Sequence, residues 1–182
     1  MTALESGAGL DVPSVRPAGT TFDSREFRST LGLFATGVTV VTAASGQPHG
    51  MTANAFSSVS KDPPMVLVCV DRDAVMHERL CTAGSFAVSV LAAGQEHVAR
   101  YFANRLRPTG PAQFAPVDWV AGGRTGAPLL LGSLAWLECS LQDVFLAGDH
   151  SIFVGTVLEL SRGAQRDALL FYSGRFRQLV CD

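Results

Sequence analysis

Residues 65–70 read MVLVCV, six apolar side chains in succession between Asp62-Pro63-Pro64 and Asp71. The run is too short for a core helix and far short of the roughly 18 residues a membrane span needs. It therefore predicts a strand that is apolar, and buried, on both faces. A strand of that kind commits the chain to a β architecture whose sheet is covered on both sides. The neighbouring segments agree. Residues 38–42 (VTVVT) are β-branched throughout, Ser45-Gly46-Gln47-Pro48 is a turn signal, and residues 49–55 pair back as a second strand. Further strands are expected near residues 85–91, 130–144, 151–160, 169–172 and 176–180.

Helical signals are few and short. Asp23 with Glu26 three residues later forms a capping box, and Phe27, Leu31 and Phe34 then give one apolar face, ending at Gly37. Asp73 is placed to cap a second helix carrying Met76 and Leu80. A third covers residues 95–104, with Val98, Tyr101 and Phe102 on one side. Residues 107–128 are rich in Gly and Pro and read as a long loop of the kind that more often serves function than not. The fold expected is mainly β: a closed or nearly closed antiparallel barrel, which removes exposed strand edges, with helices at its ends.

With 182 residues the chain suits one domain, expected over residues 21–182 after a flexible tail over 1–20 that carries few large apolar groups. A formal charge of −2 gives no electrostatic case for nucleic acid or an anionic membrane. The first residues lack the basic and apolar regions of a signal peptide, so a cytoplasmic protein is expected. Cys69, Cys81, Cys139 and Cys181 form no CxxC pair and read as buried reduced thiols. His49, His77, His97 and His150 show no ligand spacing, so no metal is expected.

Taken one by one, the candidate functional segments have ordinary readings. The stretch HGMTANAFSSVSKD (residues 49–62) offers small polar groups to a planar heterocycle and a sugar-phosphate chain, or is simply a strand with a solvated face. Asp71-Arg72-Asp73 at a helix start suits phosphate, or is a cap beside an exposed arginine. Gly148-Asp149-His150 is a turn before an apolar strand, and Tyr172-Ser173-Gly174-Arg175 a hairpin tip. Nucleotide-binding glycine loops, the GxSxG elbow and HExxH are all lacking.

Together and in this order, FRSTLGLFATGVTVVTA, HGMTANAFSSVSKDPPMVLVCVDR, SFAVSVLAAGQEHVARYFA, AGDHSIFVGTVLEL and LLFYSGRF resemble the short-chain flavin reductases, the reductase components of two-component flavin-dependent monooxygenases. The resemblance spans roughly residues 25–179 and is nearest to reductases of actinomycete secondary metabolism, including antibiotic biosynthesis. It implies an FMN-binding split barrel with a few short helices, a homodimer with the flavin cleft at its interface, and reduction of FAD or FMN by NADH or NADPH, NADH being favoured. Reduced flavin would then pass to a partner monooxygenase, possible by diffusion.

The resemblance also implies residue roles. Met51, Thr52, Ala53 and Asn54 would line the flavin ring, and Ser57 and Ser58 its ribityl or phosphate part. Asp71, Arg72, Phe102 and Arg105 would lie toward the phosphates. His150 would position the nicotinamide, with Tyr172 and Arg175 near the dinucleotide. Where relatives often carry Ser or Thr after the arginine, this chain has Asp73-Ala74-Val75-Met76. A split-barrel protein that keeps its flavin, and a flavin-binding module without reductase activity, remain the alternative readings.

Overall fold

The computed structural model describes residues 21–180. The tail expected over residues 1–20 and Cys181 lie outside them. In chain order the elements are α1 (Ser24–Leu31), β1 (Thr36–Gly37), β2 (Thr39–Ser45), β3 (Gln47–Ala53), β4 (Phe56–Lys61), β5 (Pro64–Asp71), α2 (Val75–Ala83) and β6 (Ser85–Val90). They continue with α3 (Glu96–Ala103), β7 (Trp119–Ala121), β8 (Pro128–Leu130), β9 (Ala135–Ala147), β10 (His150–Arg162), β11 (Ala168–Tyr172) and β12 (Arg175–Leu179).

Seven strands form one antiparallel sheet in the order β3-β2-β6-β9-β10-β5-β4. Consecutive strands β3 and β4 thus lie at opposite edges, and the sheet must roll until the short link Asn54-Ala55 can join them. The roll brings β3 alongside β5 without ladder pairing between them. A single backbone bond from Cys69 N–H to Ala55 O, 3.0 Å long, ties the link to β5. The barrel is therefore split along this seam. A separate three-stranded sheet, β1-β11-β12, and the β7-β8 pair flank it.

Two apolar cores share β2 as their wall. Val41, Val66, Val68, Val70, Phe86, Val88 and Phe153 fill the barrel, closed by Met76 and Leu80 of α2. Val38, Val40, Leu91, Val98, Phe102, Phe114 and Leu169 pack α3 and the following loop onto the other side. Burying each of these large side chains contributes roughly 1.5–3 kcal/mol relative to exposure.

This division corrects the reading of residues 65–70. In β5 the burial alternates: Val66, Val68 and Val70 are buried, while Met65, Leu67 and Cys69 are partly open because that face turns away from the barrel core. Burial on both faces is found instead in β2, where Thr39 to Ala43 are all enclosed, and in β6, where Phe86 to Ser89 are. The two threonines of β2 meet the burial by hydrogen bonding: Thr39 Oγ1 donates to Ala53 O and Thr42 Oγ1 to Pro128 O, each at 2.7 Å.

Other boundaries also move. Asp23 caps α1 as expected, accepting from Arg25 and Glu26 N–H at 2.8 and 2.7 Å, but the helix ends at Gly32 rather than Gly37, which belongs to β1. The apolar face of α1 is not covered within the described residues, with Phe27, Leu31 and Phe34 all exposed. Asp73 does not cap α2. Its N–H donates to Asp71 Oδ1 in a turn, and Ala74 takes the cap position without a side-chain bond. The sequence pattern does not separate the edge strand β4, with Ser57, Ser58 and Ser60, from the small polar stretch of residues 49–62 that it belongs to. The loop after α3 contains a short 3-10 turn (Gly110–Phe114) and β7. Cys139 is buried, Cys69 half-buried and Cys81 exposed, so the buried-thiol reading fails at Cys81. Among the described residues no helix is long and apolar enough to cross a membrane.

Candidate active site at the seam of the barrel

The seam opens into a cleft of about 420 Å³, within the few hundred Å³ usual for small-molecule sites. One wall is β3 and its link to β4, namely His49, Met51, Thr52, Ala53, Asn54 and Ala55. Another is the end of β5 and the start of α2, with Cys69, Asp71, Asp73, Ala74, Val75 and Met76. The loop after α3 supplies Arg105, Arg107, Pro108 and Thr109, over the buried ring of Phe102, and His150 stands at the mouth.

An edge strand needs its backbone groups satisfied, and here α3 and its loop do so. Thr52 Oγ1 donates to Ala99 O at 2.7 Å. Gly50 N–H donates to the buried Gln113 Oε1 at 2.9 Å, and Arg107 Nη2 donates to Gly50 O. Gly50 is obligatory for this fit: a Cβ there would stand 2.7 Å from Phe102 Cε1 and 3.2 Å from Phe114 Cζ.

At the mouth, β10 pairs with β5 so that His150 lies opposite Asp71. His150 Nδ1 donates to Asp149 Oδ1 at 2.8 Å, which leaves Nε2 for a ligand. Arg105 Nη2 donates to Asp71 Oδ2 at 3.1 Å. The Asp73 N–H, and secondarily Arg105, hold the Asp71 carboxyl below the usual range. At the start of α2 no side chain caps the helix; His77 N–H turns back to Ala74 O at 2.9 Å, which leaves uncapped the first-turn amides of Val75 and Met76, two residues that line the cleft.

Of the residues expected at the site, Met51, Thr52, Ala53, Asn54, Asp71, Phe102, Arg105 and His150 meet in this cleft. Ser57, Ser58 and Arg72 are exposed and do not line it. Tyr172 and Arg175 sit on the β11-β12 hairpin of the other sheet. Sequence reasoning missed His49 and Arg107. The available signal was the Gly- and Pro-rich loop after α3, whose composition announces a functional segment without saying which side chain turns inward.

The donor set suits a flavin nucleotide. Small and apolar side chains with strand backbone offer a surface for a planar ring, while Arg105, Arg107, Thr109 and the open amides of α2 match phosphate. Arg107 lines the cleft, with its Nε enclosed by protein and without a hydrogen-bond partner there.

Residues 31–180 match the family described as flavin reductase like domain, and the chain belongs to that family. It is similar to an NADH-dependent FAD reductase of Streptomyces globisporus, with 52% identity over 160 residues, covering 88% of each chain. It is likewise 38% identical over 166 residues to the reductase subunit HsaB of a flavin-dependent monooxygenase from Rhodococcus jostii, covering 91% of this chain and 83% of the other. Among solved structures, BorF, the flavin reductase component of a bacterial two-component tryptophan halogenase, superposes with a TM-score of 0.85 at 57% identity, covering 88% of this chain and all (100%) of that one. The Streptomyces globisporus NADH:FAD oxidoreductase SgcE6, in complex with NAD and FAD fragments, gives a TM-score of 0.82 at 50% identity, covering 88% and 94%.

Burial, with the Arg107 and Arg79 guanidinium groups nearby, pushes the His49 imidazole from 6.5 down to about 4. A buried histidine of this kind is neutral in the folded state and protonates more readily when unfolded. Stability must then fall as pH drops from about 6.5 towards about 4 and level off from this group below that. Urea unfolding across that range should show the fall in the wild type and a smaller one in His49→Gln. Identical pH profiles for the two proteins would show that His49 is not held neutral.

Proposed function

We propose that this chain is the NADH-dependent reductase of a two-component flavin system, taking FAD, with FMN as the alternative acceptor. It releases reduced flavin to a partner flavin-dependent oxygenase or halogenase of secondary metabolism, in the cytoplasm. The observation that carries the reading is the cleft itself: a small-residue, apolar wall and two guanidinium groups share one opening to solvent. Such a site can bind a flavin nucleotide and let it go.

The nucleotides supply the redox chemistry, a hydride passing from nicotinamide C4 to flavin N5. The protein's part is orientation and charge. Met51 to Asn54 provide the ring surface, and Arg105, with the open amides of α2, takes the phosphate end. Asp71 restrains Arg105 through their ion pair and limits its wandering. Arg72, Ser57 and Ser58 are exposed and do not line the cleft, so their part is with the outer end of a nucleotide rather than the ring. His150, its Nδ1 proton fixed on Asp149, presents Nε2 as an acceptor for the nicotinamide carboxamide. Its role here is to position that ring, with no proton transfer required.

Tyr172 and Arg175 stand outside the cleft of their own chain, and we assign them to the cleft of a second copy. The exposed apolar face of α1, with Phe145, Leu158 and Leu160 of the long β9-β10 hairpin, supports a homodimer, because a monomer would leave these side chains in water. Sedimentation should give twice the chain mass of 19.2 kDa. A single-chain mass at micromolar concentration would remove the shared-cleft arrangement.

NADH oxidation followed by absorbance should depend on added flavin and saturate with FAD. Activity without added flavin would favour a protein that keeps its flavin, and inactivity with both nicotinamides and both flavins a binding module. His150→Ala should raise KM for NADH about tenfold, equivalent to roughly 1.4 kcal/mol, while kcat changes little. A fall in kcat at unchanged KM would assign His150 a part in the chemical step instead.

A further inference from the structure

His77 is the third residue of α2, directly after Val75 and Met76, which line the cleft. Its own side chain is half-buried and lies against β10 instead. Nε2 is 2.9 Å from Ser151 Oγ, and the ring meets Phe153 edge-on with centroids 5.0 Å apart. Ser151 and Phe153 stand two residues apart on one strand, so they share a face, and both are fully buried. His150, one residue earlier, points to the opposite face and stands at the mouth of the cleft.

The ladder between β5 and β10 ends at the pair of Asp71 with His150. Beyond it, Arg72 N–H donates to Asp149 O at 3.0 Å, which ties the turn before β10 to the turn before α2. The bond between His77 and Ser151 ties the residue on the other side. His150 is thus held between two bonds to one connection, residues 72–77. Packing alone does not need this pair, since an apolar residue at position 151 would fill the face without a hydroxyl to satisfy. The hydrogen bond adds direction: it fixes a distance and an angle between α2 and β10 that dispersion contacts leave loose.

The first turn of α2 faces the flavin nucleotide, and His150 faces the nicotinamide. Two rings that react across a gap need the contacts on both sides kept at a fixed spacing. We propose that His77 is a positioning residue: through Ser151 it holds the start of β10, and with it His150 Nε2, in place relative to the first turn of α2. His77 itself touches neither nucleotide. The inference rests on the reading above that His150 positions the nicotinamide, and adds the residue through which the flavin wall holds His150 there.

KM for NADH at saturating FAD, with FAD affinity from flavin fluorescence, is measured for wild type, His77→Phe and His77→Gln, each alone and combined with His150→Ala. His77→Phe keeps a ring against Phe153 and removes the hydrogen bond, which a glutamine amide can remake. His77→Phe should raise KM for NADH about threefold, the scale of one hydrogen bond, and leave FAD affinity within about twofold. His77→Gln should recover most of that loss. In the His150→Ala background the same substitutions should leave KM unchanged, because two residues acting through one contact are not additive. If His77→Phe does not fold, Ser151→Ala breaks the same bond from the other side and should give the same pattern.

Equal rises in KM with and without His150 would overturn the proposal in favour of a general structural part for His77. So would a loss of FAD affinity matching that of NADH, which would confine His77 to supporting the α2 turn, or an unchanged KM in every His77 and Ser151 variant. An unchanged KM in His150→Ala itself would overturn the reading on which the proposal rests. A wild-type protein without flavin-dependent NADH oxidation would overturn the reductase reading.

Discussion

The whole arrangement depends on a sheet that rolls up and does not close. Strand β3 ends at one edge and β4 begins at the other, with Asn54-Ala55 between them, so the two edges are forced together. They meet without a ladder, and the backbone of β3 must find partners elsewhere. Gln113 and Arg107 supply them at Gly50 N–H and Gly50 O, and Thr52 Oγ1 adds a side-chain bond to Ala99 O. Arg107 and Thr52 also line the cleft, while Gln113 and Ala99 are buried behind it. The bonds that hold the edge strand thus hold one wall of the site.

This origin suits a substrate that comes and goes. A cleft between two unpaired edges is open along its length, and its floor is strand backbone with small side chains. Preorganisation comes from rigid neighbours. Phe102 is fully buried and wedged against Gly50, β10 sets His150 opposite Asp71, and α2 presents uncapped amides. Apolar surface also stays exposed on α1 and on the β9-β10 hairpin.

Much of the fold is legible in the sequence because strand signals are local. VTVVT, MVLVCV and SFAVSVL are each strands where they were expected. What is not legible is which faces are covered, since that is decided by the roll of the sheet. The apolar run of β5 is half-open on the face turned away from the barrel core, whereas β2, with its two threonines, and β6 are enclosed on both faces. Asp73 is a plausible cap by spacing, but it sits in the turn that Asp71 closes through the Asp73 N–H, and the helix starts one residue too late, with Ala74 at the cap position. In the site, the residues on β3 are placed by the family resemblance, since their own pattern reads equally as a strand with a solvated face. Arg107 and His49 are not placed, because their meeting joins positions 58 residues apart.

The central claim is that flavin passes through this cleft as a substrate and leaves it reduced. Anaerobic incubation of a trace of the protein with excess NADH and FAD, followed by ultrafiltration, measures this directly. The account predicts reduced FAD in the filtrate at many equivalents per protein. Reduced flavin retained with the protein at about one equivalent, with no accumulation in the filtrate, would contradict it.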